Sequence, residues 1–182
     1  MGFFDDAGPE RDWERRGGVW KRPDAELPRA AESALLLART DAVAVAVTAI
    51  WAFRSGFEFW VATLFRQPGP ALQKEPDDQS LHIGLRFADG RKVANVGHVP
   101  GPAGSVPGNL ILSPLSFGGG MFSRSRSYWV WPLPPAGPMT FVCEWAAFGI
   151  PETSMDVDAE PILRAATQTI KLWPEDKDGA PA

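Results

Sequence analysis

The sequence predicts a mainly β protein: an antiparallel β-sandwich of about seven or eight strands, followed by one C-terminal α-helix. Three observations carry that expectation. Apolar and polar residues alternate at period two in several short runs, the pattern of strands buried on one face. Glycine and proline, 18 of each in 182 residues, punctuate those runs with turns. Apolar residues at helical spacing stand out only near the end, at Ile162, Ala166, Ile170 and Trp173. A distorted barrel is the second arrangement compatible with this punctuation.

The elements follow in order. Ala34 to Ala38 is a short apolar run closed by Arg39-Thr40-Asp41. Val43, Val45, Val47, Trp51 and Phe53 share one parity, and β-branched residues fill the run, which predicts a strand. Arg54-Ser55-Gly56 turns the chain into a returning strand with Phe57, Phe59, Val61 and Phe65 on one side. Leu81, Ile83, Leu85 and Phe87 alternate with polar or small residues up to Asp89-Gly90, which predicts a two-residue type I′ hairpin to Val93 and Val96. Further strands are expected at Leu110 to Leu115, Ser127 to Leu133, Met139 to Trp145 and Thr153 to Val157, with Gly118-Gly119-Gly120 as a loop.

Residues 1 to about 30 are rich in charge and read as a flexible or loosely docked arm, with Phe3, Phe4, Trp13 and Trp20 as points where it could pack back. Residues 31–174 form the sandwich domain, its helix at about 159–173, capped by Asp158 with Pro161 in the first turn. Residues 175–182 read as a disordered tail.

Composition narrows the function classes. Eight tryptophans and eleven phenylalanines against one tyrosine predict an aromatic core. A net charge of −4 argues against a general nucleic-acid binder, whose affinity rests on a basic footprint. The single Cys143 forms no internal disulfide, so a disulfide-built secreted scaffold is excluded. The N-terminus lacks the basic region of a signal peptide, and the apolar run Ala42 to Phe53 is about half the ~20 residues a membrane helix needs. A cytoplasmic protein without membrane attachment is expected.

Few residues point to chemistry. His82, His98 and Cys143 are isolated in the sequence, not paired at the short spacing of metal sites, so no metal is expected. Cys143 shares the parity of Phe141 and Trp145, which makes it a small buried hydrophobe. The triple glycine lacks the Gly-Lys-Ser/Thr ending of a phosphate loop, and no cofactor is expected. Glu58, Glu144 and Glu152 read as solvated surface acids.

The most distinctive segment is Ser123-Arg124-Ser125-Arg126-Ser127-Tyr128-Trp129-Val130-Trp131-Pro132-Leu133-Pro134-Pro135. Arg124, Arg126, Tyr128, Trp129 and Trp131 are candidate binding residues, because Arg, Tyr and Trp concentrate interface energy. The competing reading places Trp129, Trp131 and Leu133, which share one parity, in the core. The start Gly56-Phe57-Glu58-Phe59, the hairpin Phe87-Ala88-Asp89-Gly90, and the run from Tyr128-Trp129-Val130-Trp131-Pro132-Leu133-Pro134-Pro135 to Phe141-Val142-Cys143-Glu144-Trp145 together resemble a family of small actinobacterial proteins of uncharacterised function. The likeness spans roughly residues 35 to 173. It implies one intact domain in a bacterial cytoplasm and transfers no functional residue.

The leading expectation is a non-enzymatic binding or protein-interaction module. The alternatives are a hydrolase-like enzyme assembled from Glu144, Glu152 or His82 on separate strands, and a self-assembling structural protein.

Overall fold

The computed structural model describes residues 20–23, 25–32, 34–69, 81–95 and 110–173. Among these, the chain forms β1 (Glu26–Leu27), β2 (Arg29–Glu32), β3 (Leu35–Arg39), β4 (Val43–Ala52), β5 (Phe57–Phe65), β6 (His82–Arg86), β7 (Lys92–Ala94), β8 (Ile111–Gly119), β9 (Ser123–Trp131), β10 (Pro138–Trp145) and β11 (Ile150–Asp158), then α1 (Glu160–Ala166) and β12 (Ile170–Lys171). The large sheet runs β2-β4-β5-β9-β8, with β3 continuing the β2 edge along β4. The small sheet runs β11-β10-β6-β7, and β1 pairs with β12 as a two-stranded ribbon. All pairings are antiparallel. The arrangement is a β-sandwich and not a closed barrel, although β7 lies near β8 at one side and β11 near β3 at the other.

Alternation places the core between the sheets. From the large sheet come Val43, Val45, Val47, Phe57, Phe59, Val61, Phe65, Tyr128 and Val130, and from the small sheet Ile83, Leu85, Met139, Phe141, Cys143 and Trp145. Phe59 is the hinge of the packing: its ring stacks on Tyr128 at 5.3 Å and meets Phe141 of the opposite sheet edge-on at 5.2 Å. Phe65, Trp145 and Phe148 form a second ring cluster nearer one end. Such geometries add to the burial term because ring edges carry positive and ring faces negative charge. Asn95 ties the small sheet to this core, donating to the Leu81 carbonyl at 2.9 Å and to the Tyr128 hydroxyl at 3.3 Å.

Several sequence expectations are corrected. The register of β4 on β5 shifts between Val47 and Ala49. That bulge inserts one residue and reverses the parity, so Ile50 and Ala52 face the core while Trp51 turns outward and stays 44% exposed. The Asp89-Gly90 hairpin has a three-residue loop, not a two-residue type I′ turn. Gly90 N–H donates to the Phe87 carbonyl at 3.0 Å and Phe87 N–H to the Arg91 carbonyl at 2.8 Å, with positive φ at Gly90 alone in the loop. This is a type I turn followed by a left-handed glycine. Gly118 and Gly119 belong to β8, and the triple glycine leads into the β8–β9 hairpin.

The helix is also shorter than its apolar spacing predicts. It stops at Ala166 because Thr167 and Thr169 hydroxyls bond the Arg164 and Ala166 carbonyls at 2.8 and 3.2 Å. The chain then extends, and Ile170 and Lys171 pair with Leu27 and Glu26. Asp158 does act at the helix start, accepting from Glu160 N–H at 3.0 Å. The buried face of α1 is Ile162, Ala165 and Ala166, packed against β2 and β4. The expected tail, His98, and the first 19 residues of the expected arm lie outside the described residues.

The bulge gives a direct test. Ile50→Ala is expected to cost about 2–5 kcal/mol and Trp51→Ala at most about 1 kcal/mol in urea denaturation. The reverse order would mean that the parity runs unbroken.

Candidate interaction surface

The segment Ser123–Trp131 is one strand, so its aromatic and basic residues are divided between two faces. Tyr128 and Val130 face the core, opposite Phe59 and Phe57 in register. Trp129 points to the outer face and is nevertheless only 2% exposed. Trp131 is half-buried at the end of the strand, opposite Ile111. Arg124 lies over the Phe65 ring, and the exposed Arg126 over the Phe117 ring, 5.3 and 5.0 Å from the centroids. The five predicted residues therefore do not form a single patch.

What covers Trp129 is the segment that begins, among the described residues, at Trp20. Its indole N–H donates to the Trp20 carbonyl at 2.7 Å. Two residues on, Arg22 Nε lies 2.9 Å from Glu58 Oε2, and its guanidinium sits 4.9 Å over the Phe53 ring. Phe53 in turn meets Trp129 edge-on at 5.5 Å. Glu58, expected as a solvated acid, is thereby corrected: its side chain is 7% exposed, beneath a segment that crosses the outer face of β5 and β9. Alternation forces the direction, since Phe57 and Phe59 must point inward. Trp51 and Trp129 flank Glu58 on the neighbouring strands. Gly56 makes room for this arrangement, because a Cβ there would lie 2.7 Å from the Trp129 ring.

The segment is secured beyond Arg22. Glu26 accepts from Arg54 N–H at 2.6 Å, Leu172 N–H donates to the Ala25 carbonyl at 2.9 Å, and Arg29 Nε to the Gln168 carbonyl at 2.9 Å.

The opposite end of the large sheet has a different character. Leu64, Leu115, Phe117, Met121 and Phe122 are 45–66% exposed around the β8–β9 hairpin. Phe65 N–H bonds the Phe122 carbonyl at 2.8 Å and Gly69 N–H the Met121 carbonyl at 2.6 Å, fixing the hairpin tip against the end of β5. Gly119 enters the turn with φ 141°, and a Cβ there would meet Ser123 O at 2.3 Å. A shallow groove of about 290 Å³ adjoins this patch, lined by Leu64 with Arg39, Thr40, Asp41, Val43 and Arg66 among others.

Of the residues expected to serve an enzyme, two meet. His82 Nδ1 lies 3.6 Å from Glu144 Oε2 on the outward face of the small sheet, where both are substantially exposed. Glu152 is exposed on β11. Cross-strand polar contacts continue on the same face, with Arg86 donating to Thr140 Oγ1 at 3.4 Å and Thr140 to Asp156 at 2.6 Å. Among the described residues, no group of three or more His, Cys, Asp or Glu side chains could hold a metal ion, and no helix is long and apolar enough to cross a membrane. No protein family, curated protein or solved structure matches the chain.

Cys143 is buried in the core, its thiol 3.1 Å from the Thr153 hydroxyl. Burial pushes its pKa up, and the Thr153 hydrogen bond only partly opposes this. The folded chain thus keeps the thiol proton to a higher pH than the unfolded chain, and this contribution to stability is lost as pH rises past the ordinary thiol range. The native protein should resist Ellman's reagent at pH 8 and react fully in urea. Rapid modification of the folded protein would contradict the burial.

Proposed function

We propose that this chain is a non-enzymatic binding module of the bacterial cytoplasm that takes a protein partner on the β8–β9 hairpin end of its large sheet. The observation that carries the reading is the β8–β9 hairpin, on which Leu115, Phe117, Met121 and Phe122 are each at least 45% exposed, with Leu64 exposed on the outward face of the neighbouring β5. Exposed apolar side chains concentrated on one hairpin mark interaction surfaces. Arg126 is exposed beside Phe117, and the exposed Arg39 and Arg66 line the groove with Leu64 and Asp41. Exposed apolar side chains with arginines beside them fit a partner surface that carries apolar and acidic groups. Rings and arginines of the kind paired at Phe117 and Arg126 are the residue types that dominate interface energies. The lone thiol Cys143, free and buried, suits a reducing compartment.

The hydrolase alternative draws on the His82–Glu144 contact at 3.6 Å. It is the weaker reading, because an acid–base pair on an open strand face neither excludes water nor holds a substrate.

The experiment compares the tagged wild type with the double variant Phe117→Ser, Phe122→Ser in affinity purification from the native host, with folding verified by circular dichroism. A reproducible partner should be recovered at least about tenfold less with the variant, a loss of about 1.4 kcal/mol or more in binding. A partner that is the chain itself would appear as a concentration-dependent mass in light scattering. Recovery unchanged by the double variant would contradict the proposal.

A further inference from the structure

An open sheet ends in a row of unpaired amides and carbonyls, and most edges of this sandwich are blunted against a further strand. The large sheet ends on one side at β2 and β3, which are short, each broken by a bulge on β4, with α1 packed against β2. In the small sheet β7 has three residues and an exposed Lys92, while β11 carries the exposed acids Glu152, Asp156 and Asp158. The remaining edge, β8, is nine residues long and holds no charged residue. Among the described residues it pairs with β9 alone, and its stretch Pro114 to Phe117 is exposed.

Hydrogen bonds at the hairpin tip fix which groups face that edge. Gly120 N–H donates to the Ser123 carbonyl at 2.7 Å, and Phe65 N–H to the Phe122 carbonyl at 2.8 Å. Alternation from these bonds turns the backbone groups of Ser116 and Gly118 toward Ser127 and Ser125 of β9, and those of Arg124 and Arg126 toward β5. The N–H and C=O of Phe117 therefore point away from β9, to the open edge. We infer that a second copy of this chain pairs there, β8 against β8, antiparallel about a two-fold axis at Phe117, so that two large sheets become one. The inference rests on the reading of this hairpin as an interaction surface and names its occupant.

The charge pattern selects a second copy. A two-fold axis brings identical strands together, so an edge such as β11 would set acids against acids, whereas the uncharged β8 opposes no like charges. The backbone agrees with this choice. With the axis at Phe117, the outward N–H of each copy donates to the Phe117 carbonyl of the other, and no bond between β8 and β9 is lost. The same register sets the two Phe117 rings side by side as a cross-strand aromatic pair. In the single chain that ring is 51% exposed and Leu115 45%, with the Arg126 guanidinium 5.0 Å over the ring.

The test measures the mass of the purified full chain by light scattering over a range of concentrations. The wild type should rise toward twice the monomer mass. Phe117→Pro, which removes the outward amide donor and no bond to β9, should weaken dimerisation at least about tenfold. If circular dichroism shows that this variant does not fold, Phe117→Lys serves, because an edge lysine blocks strand addition. The register has its own readout, since the paired α-carbons lie about 5.5 Å apart, within the span of a disulfide. On mild oxidation Phe117→Cys should therefore cross-link at least about tenfold faster than Leu64→Cys, which lies two strands from the axis. A monomer at every concentration, a dimer indifferent to the change at Phe117, or equal cross-linking of the two cysteine variants would overturn the inference. The purified chain holds no host protein, so a monomer that still captures a host partner through Phe117 and Phe122 overturns the second copy and leaves the interaction surface standing.

Discussion

The ion pair between Glu58 and Arg22 links the two layers of explanation that this protein needs. Phe57 and Phe59 face inward, Phe59 to meet Tyr128 and Phe141, so the residue between them must face outward. On most sandwiches that position would be wet. Here Trp51 and Trp129 flank it and the N-terminal segment crosses above it. Removing a carboxylate from water costs several kcal/mol unless a cation and hydrogen bonds replace the solvent. The segment therefore belongs to the fold. With Arg22 on Glu58, Trp20 comes to rest on Trp129, Glu26 reaches the Arg54 amide, and β1 is delivered to β12. Residues 170–172 thus take their partners from residues 25–27.

Much of the sandwich is legible in the sequence, for reasons that are local. Period-two alternation and turn residues locate β4, β5, β6 and β10 closely, because one-sided burial writes itself directly into residue order. What alternation cannot record is an insertion within a strand. The bulge at Val47–Ala49 leaves no compositional mark, yet it exchanges Trp51 for Ile50 in the core. The helix is overextended by the same logic: Ile170 and Trp173 have helical spacing from Ile162, but the Thr167 and Thr169 hydroxyls end the helix and a long-range pairing with β1 takes over.

The site was less legible than the fold. The segment 123–131 stands out by its residue types, which mark binding candidates, but a strand sends successive side chains to opposite faces. Tyr128 went to the core and Trp129 to the covered outer face, leaving Arg126 exposed. Glu58 carried no local signal at all. Its burial depends on Arg22, which is 36 residues earlier in a stretch that composition marks as an arm. The sequence signal that does exist is the cluster Trp20, Arg22 and the aromatics near Gly56, which only the sheet register brings together. The large sheet thus carries two surfaces with opposite states: an aromatic and acidic one already covered, and an apolar and basic one left open.

The most direct measurement of this account is a double-mutant cycle on Arg22→Ala and Glu58→Gln, followed by urea denaturation with far-ultraviolet circular dichroism and tryptophan emission. The account predicts a coupling energy above about 1 kcal/mol, beyond that of an exposed pair, together with a red shift of emission as Trp129 loses its cover. Additive effects within about 0.5 kcal/mol, with unchanged emission, would contradict it and make the N-terminal segment incidental to the fold.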